Sequence, residues 1–232
     1  LLAPLLLAVL AAAVWFGLGM HRGLLLSSDI RSLCYPWQPY FAERGSGNVD
    51  LADPAQQFVP WLELARRELA AGRLPLWNPF QDGGVPLLGN AQSALGSPLV
   101  WPALVLGVAR AWNFVLLLKV LTAAAGAWLW LRDLGRSRVA AALGAVSFSL
   151  SGAFVAWLAH PHTLVAAAAP WVLWAAQRAA RRASFGLVAA SAGATWFACV
   201  GGHPETLLMV ALLTGAWVLA TRGPRGCGRA AL

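Results

Sequence analysis

The sequence predicts an all-α polytopic membrane protein, with about six transmembrane helices and a long extracytoplasmic first loop carrying amphipathic or re-entrant helices. Three observations predict it. Of 232 residues, 11% are charged and 59% hydrophobic. A soluble domain carries about 25% charge, so these charges are too few to coat a globule of this size or to keep a chain disordered. The apolar residues come in blocks of 13 to 21 with few or no charges, where a soluble core helix alternates with a polar face. The basic residues, finally, gather on alternate connections between those blocks.

The first block, residues 1–20, lacks the basic start of a signal peptide and is long enough to span, so it reads as transmembrane helix 1. Residues 21–110 form a polar interval holding seven of the nine acids. Within it, residues 55–71 have helical periodicity: Phe58, Trp61, Leu62, Ala65 and Leu69 share one side, with Glu63, Arg66 and Arg67 away from it. Gly72 is the stop signal, and Pro60 makes this helix begin or bend near its position. Residues 72–93 carry Pro and Gly at a density that excludes regular elements and implies a loop of fixed turns. Residues 98–108 are apolar but give a helix of only about 16 Å, which lies on the membrane surface or re-enters.

Residues 111–221 then supply transmembrane helices 2–6, at 111–131, 139–159, 164–176, 185–202 and 206–221. The fourth span is the shortest, with an apolar stretch of 13 residues. Residues 222–232 form a cytoplasmic connection, and a start at Leu1 with an Arg/Gly-rich end reads as a piece of a longer protein.

Orientation follows from the arginines. The connections after helices 2, 4 and 6 hold nine Arg and one acid, Asp133, and account for the whole net charge of +8, whereas the polar interval balances seven Arg against seven acids. Cytoplasmic connections carry such an excess. The polar interval, His160-Pro-His162 and Gly202-His203-Pro-Glu205 therefore share the extracytoplasmic face. Because the charge is distributed by topology, it does not point to nucleic acid as a partner. Cys34, Cys199 and Cys227 match no metal or redox spacing.

Several residues on that face have chemistry to offer. Asp29, Asp50 and Asp53 precede the amphipathic helix. Asp53-Pro-Ala-Gln reads either as an N-cap with Pro at N1 or as a carboxylate facing a cleft. Trp77, Asn78, Asn90 and Gln92 give the loop an aromatic platform and amide groups suited to sugars or head groups, and the same amides can satisfy the loop's own backbone. Lys119 sits about 12 Å below the outer end of helix 2, either facing a lipid phosphate or acid or snorkelling to the surface. His160, His162, His203 and Glu205 lie at helix ends, where they can gather around a divalent cation or a phosphate; as a metal signature the spacing is weak. Ser149-Leu-Ser151-Gly152 with His203 has the residue types of an intramembrane serine protease. Ser149 stands where such motifs carry Gly, however, and Ser and Gly serve helix contacts without catalysis.

The order of motifs Asp53-(x3)-Gln57-Phe-Val-Pro60-Trp, Gly72-Arg-Leu-Pro75-Leu-Trp77-Asn78-Pro79-Phe, Gly84-Val-Pro86, Asn90-Ala-Gln92-Ser and Ser97-Pro98, followed by Gly202-His203-Pro204, resembles the first-loop signature of YfhO-like bacterial membrane proteins. The resemblance runs from about Asp50 onward and is most specific in residues 72–98. It implies a GT-C-like fold, the bacterial cytoplasmic (inner) membrane, and sugar transfer on the outer face from a polyprenyl-phosphate carrier to a cell-envelope glycan, lipid or polymer. It further implies Asp53 as catalytic base; Asp50, three residues earlier, reads as an auxiliary acid that positions a divalent cation or the acceptor. Gln57, Trp77, Asn78, Asn90, Gln92, Lys119, His160, His162, His203 and Glu205 are the substrate-binding candidates. Glu205 stands where the family pattern has Gln. The competing reading is a non-catalytic flippase of lipid-linked precursors or an envelope-assembly subunit.

Overall fold

The computed structural model describes residues 23–26, 35–36, 38–41 and 51–222. The span read at residues 1–20, the acids Asp29 and Asp50, and residues 223–232 lie outside the described residues. After a short helix α1 (Gln38–Phe41), one π-helical turn (Pro54–Phe58) runs into α2 (Val59–Ala70). The amphipathic helix of the polar interval is thus present, and α2 begins next to Pro60, whose missing N–H falls directly after the π-helical turn. Phe58, Trp61, Leu62 and Ala65 are buried as their spacing predicts, but Leu69, 43% exposed, is not. It lies in the last turn, past the surface that α2 packs on. Gly72 stops the helix at φ +70°, a conformation that costs a glycine little.

The Pro/Gly-rich loop contains a regular element that its composition seemed to exclude. Trp77–Asn78 (β1) pairs antiparallel with Val85–Pro86 (β2), in the register Trp77 with Pro86 and Asn78 with Val85. Asp82, Gly83 and Gly84 turn the chain with positive φ. A Cβ on Gly84 would come within 2.6 Å of the Trp77 indole nitrogen, so the ring lies flat against this turn. The short helix expected near residue 98 is α3 (Trp101–Leu106), joined through Gly107 to the long α4 (Val108–Asp133).

The rest is a bundle: α5 (Arg138–Ser149), α6 (Gly152–Ala156), α7 (His162–Arg181), α8 (Phe185–Cys199) and α9 (Pro204–Arg222). The single span read at residues 139–159 is interrupted. The Ser151 hydroxyl accepts from Phe154 N at 3.3 Å and starts α6 as a separate N-capped turn. Helix α7 is the hub, packed by α4, α8 and α9. It meets α4 where Gly126 leaves room for Trp171, whose indole donates to the Thr122 carbonyl at 2.9 Å.

Three stretches among the described residues are long and apolar enough to cross a membrane: Val108–Asp133, Arg138–Ala156 and Pro204–Thr221. Helix α8 is apolar but has only 15 residues. Helix α7 has the length, at 20 residues, yet contains Pro170 and ends in polar side chains. The outer surfaces agree with a lipid surround: in α9 Leu208, Met209, Leu212, Leu213 and Leu219 are all more than half exposed, an apolar face that water would not tolerate at this extent. One apolar core joins Phe58, Trp61 and Leu62 of the polar interval to Trp112, Val115 and Leu116 of α4 and Leu164 and Ala167 of α7, so the loop is part of the bundle.

Contacts fix the two ends of that bundle. At one end Asp133, closing α4, meets Arg178 and Arg181 in the last turn of α7, each at 3.4 Å. At the other end the starts of α7 and α9 meet under the polar loop.

Candidate functional site

At the loop-covered end a cavity of about 370 Å³ is lined by Asp53, Phe58, Gln92, Trp157, His160, Pro161, His162, His203 and Thr206. Five of the candidates read from the sequence, Asp53, Gln92, His160, His162 and His203, drawn from four separate segments, meet here. The close docking of the loop on the helices explains how. Gly202 adopts φ +82°, and a Cβ there would collide with the Ala91 carbonyl. Gly96 likewise lies against Val200. The missing side chains let the 91–96 turn sit directly on the turn that precedes α9, which brings Gln92 to the same cavity as His203.

Asp53 does not cap. Its backbone is already helical (φ −50°, ψ −40°) and its side chain makes no cap hydrogen bond, because the chain enters through a π-helical turn and not through an N-cap geometry. One carboxylate oxygen accepts from Gln57 Nε2 at 3.2 Å, one helical turn on. Gln57 therefore holds the acid and does not itself line the cavity.

The histidines form a chain. Ring centroids are 5.5 Å apart from His160 to His162 and 5.2 Å from His162 to His203, with Trp157 edge-on to the first two. His160 is 4% exposed, and neither ring nitrogen has a hydrogen-bond partner. A buried imidazole leaves both its donor and its acceptor unused only at a real cost, and the Phe58 and Trp157 rings that strand the two nitrogens also cover them. Burial, with smaller contributions from Lys119 and His203, holds its pKa down at about 4. At His203, Nδ1 accepts from the Thr206 amide at 3.3 Å and lies 2.9 Å from the Thr206 hydroxyl. With Nδ1 accepting in this way, the neutral ring offers Nε2 as its donor.

Lys119 is in neither of the places its sequence position suggested. It is buried, and Nζ donates to the carbonyls of Leu158 (2.8 Å) and His160 (2.9 Å) and to Thr163 Oγ1 (3.2 Å). All three ammonium donors are used, so Lys119 neither snorkels nor reaches a lipid phosphate. It pins the turn that carries His160, as a positioning residue. Other candidates turn out to serve the loop: Asn78, buried, accepts from Phe80 N at 3.0 Å, and Asn90 accepts from Gln92 N at 3.0 Å. Trp77 is 53% exposed on the hairpin, outside the cavity. Glu205 is exposed, 3.4 Å from His203 Nδ1, and also outside the lining. Among the described residues no group of three or more His, Cys, Asp or Glu is arranged to hold a metal ion, since Glu205 turns outward while His160 sits among aromatic rings. Ser149 is fully buried without a partner, and Ser151 is spent on its cap, so the serine-protease reading finds no nucleophile paired with His203.

Sequence reasoning missed Phe58, Trp157, Pro161 and Thr206 as lining residues. Thr206, one helical turn after His203, was the one with a readable signal. Neither family models, nor curated proteins, nor solved structures gave a match to this chain.

Proposed function

We propose that this chain is the donor-handling part of a GT-C-type membrane glycosyltransferase, in which Asp53 removes a proton from an acceptor hydroxyl as sugar leaves a polyprenyl phosphate on the extracytoplasmic side. The observation that carries the reading is the meeting of Asp53, Gln92, His160, His162 and His203 around one cavity, part polar and part aromatic, at the loop-covered end of an apolar bundle. Two further points support it. The segments that bear the resemblance to YfhO-like proteins, Asn90-Ala-Gln92-Ser and Gly202-His203-Pro204, lie more than a hundred residues apart and touch at this cavity. The cavity also combines one acid with imidazole and amide side chains, the residue types the chemistry needs.

In that chemistry the acceptor oxygen attacks the anomeric carbon and its proton passes to Asp53. The bond from that carbon to the phosphate oxygen breaks, with its electron pair leaving on the phosphate. Phosphate is a good leaving group and requires no strong acid. His203 Nε2 is the donor offered to the phosphate oxygens as charge develops. Gln57 holds the acid in place, and Lys119 fixes the backbone from which His160 projects.

The test is transfer of a radiolabelled sugar from a polyprenyl-phosphate donor by the whole protein in nanodiscs. Asp53→Asn should lower the rate at least ~100-fold, the lower end of a general-base contribution, with unchanged thermal stability because no cap is lost. Transfer by Asp53→Asn near the parental rate would overturn the base assignment. Such a result would favour a flippase, which has no proton to remove.

A further inference from the structure

The arginine end of the bundle has a cavity of its own, of about 410 Å³, lined by Asp133, Arg178, Arg181, Arg182, Ser184 and Leu187. We propose that it binds the phosphate of an anionic phospholipid headgroup. This stands whether or not the opposite end transfers sugar.

The lining holds three guanidinium groups against one carboxylate. That carboxylate is anchored to the bundle: Asp133 Oδ2 accepts from Gln177 Nε2 at 3.0 Å, and Gln177 Oε1 in turn accepts from the indoles of Trp130 (3.4 Å) and Trp217 (2.7 Å). Asp133 faces Arg178 Nε and Arg181 Nη1, both at 3.4 Å, and these two side chains stay about half exposed. Arg178 also lies over the Trp174 ring, 5.4 Å from its centroid. The acid thus orders two guanidinium groups without consuming their donors, since each offers five N–H groups and spends one on a long contact. Arg182, exposed at the rim, has no carboxylate partner among the described residues. An excess of two positive charges on a pre-ordered frame matches a phosphate.

Two features choose a lipid over a soluble phosphate. The lining includes Leu187, and next to it Phe185 (92%) and Val188 (55%) are exposed, so an apolar surface leads out of the charged pocket. Trp130, Trp174 and Trp217 surround the same level, and tryptophans collect at the headgroup region. A ligand with a phosphate and an acyl chain satisfies both.

The experiment is native mass spectrometry of the purified, delipidated full chain, titrated separately with dioleoyl phosphatidylglycerol, dioleoyl phosphatidylcholine and inorganic phosphate. Phosphatidylglycerol should bind at least ~10-fold more tightly than phosphatidylcholine, and Arg182→Gln should weaken it about fivefold, the effect of one basic residue at a lipid phosphate. Arg181→Gln combined with Arg182→Gln should bring it to the phosphatidylcholine level. Arg182→Gln disturbs no ion pair and keeps the test clear of folding. Equal binding of the two lipids, or no effect of either variant, would overturn the site. Inorganic phosphate binding as tightly as phosphatidylglycerol would overturn its assignment to a lipid.

Discussion

The two ends of the helix bundle handle cations in opposite ways. At the loop-covered end the one ammonium, Lys119, is sealed from solvent and saturated by two carbonyls and a hydroxyl. At the other, three arginines surround one acid and remain half in solvent. A buried charge with every donor spent is part of the framework, whereas exposed charges in excess of their partners are free to meet something else. The difference teaches that depth alone does not mark a ligand site. Lys119 is the deepest cation in the described chain, yet the unspent polar atoms beside it belong to His160.

Substitutions should separate the ends by magnitude. Lys119→Met should be the most damaging, because it strips two buried carbonyls and Thr163 of a charged donor. We expect about 4 kcal/mol, read as loss of thermal stability in detergent or nanodiscs, and activity lost with the His160 turn. A stable Lys119→Met variant would break the comparison.

Next is pH. His160 is held neutral by burial, with a pKa of about 4 in the folded state against 6.5 when exposed. The unfolded chain therefore takes up its proton first, and this contribution to stability, up to about 3 kcal/mol, is complete above pH 6.5 and lost as pH falls toward 4. His162, held down to about 4 mainly by its own burial, adds to the same window, so His160→Phe should remove only part of the slope of stability against pH and the double variant with His162→Phe should remove more.

Gly202→Ala should cost about 2 kcal/mol, since the positive φ is strained for alanine and the new Cβ collides with the Ala91 carbonyl. Proteolysis should then cut the 91–96 turn faster. The smallest effect belongs to the other end: Asp133→Asn removes two long ion pairs to half-exposed arginines, keeps an amide oxygen that can accept from Gln177, and should change stability by at most about 1 kcal/mol.

Much of this was legible in the sequence, and what was not has identifiable causes. The periodicity of residues 55–71, the stop at Gly72 and the apolar blocks after residue 110 are local signals, and the structure follows them to within a few residues. The gathering of His160, His162 and His203 followed from their shared place at helix ends. The break at Ser151 was hidden because a Ser-Gly pair inside an apolar run serves equally as a helix contact or as a cap. The partner of Lys119 was hidden because it is a set of backbone carbonyls, which every sequence offers everywhere. The same applies to Asp53: Asp-Pro-Ala-Gln is a capping pattern only where the backbone of the Asp is extended, and here Asp53 is itself helical.

For the proposed sugar transfer the two ends must lie on opposite sides of one bilayer, with the His160 cavity outside and the arginine pocket inside. The direct measurement is labelling of single cysteines, in a chain whose three native cysteines are replaced, by a maleimide that cannot cross membranes. Leu88→Cys, on the polar loop, should react in intact bacterial cells, and Ala183→Cys, between α7 and α8, only after permeabilisation. Labelling of both in intact cells, or the reverse order, would contradict the account.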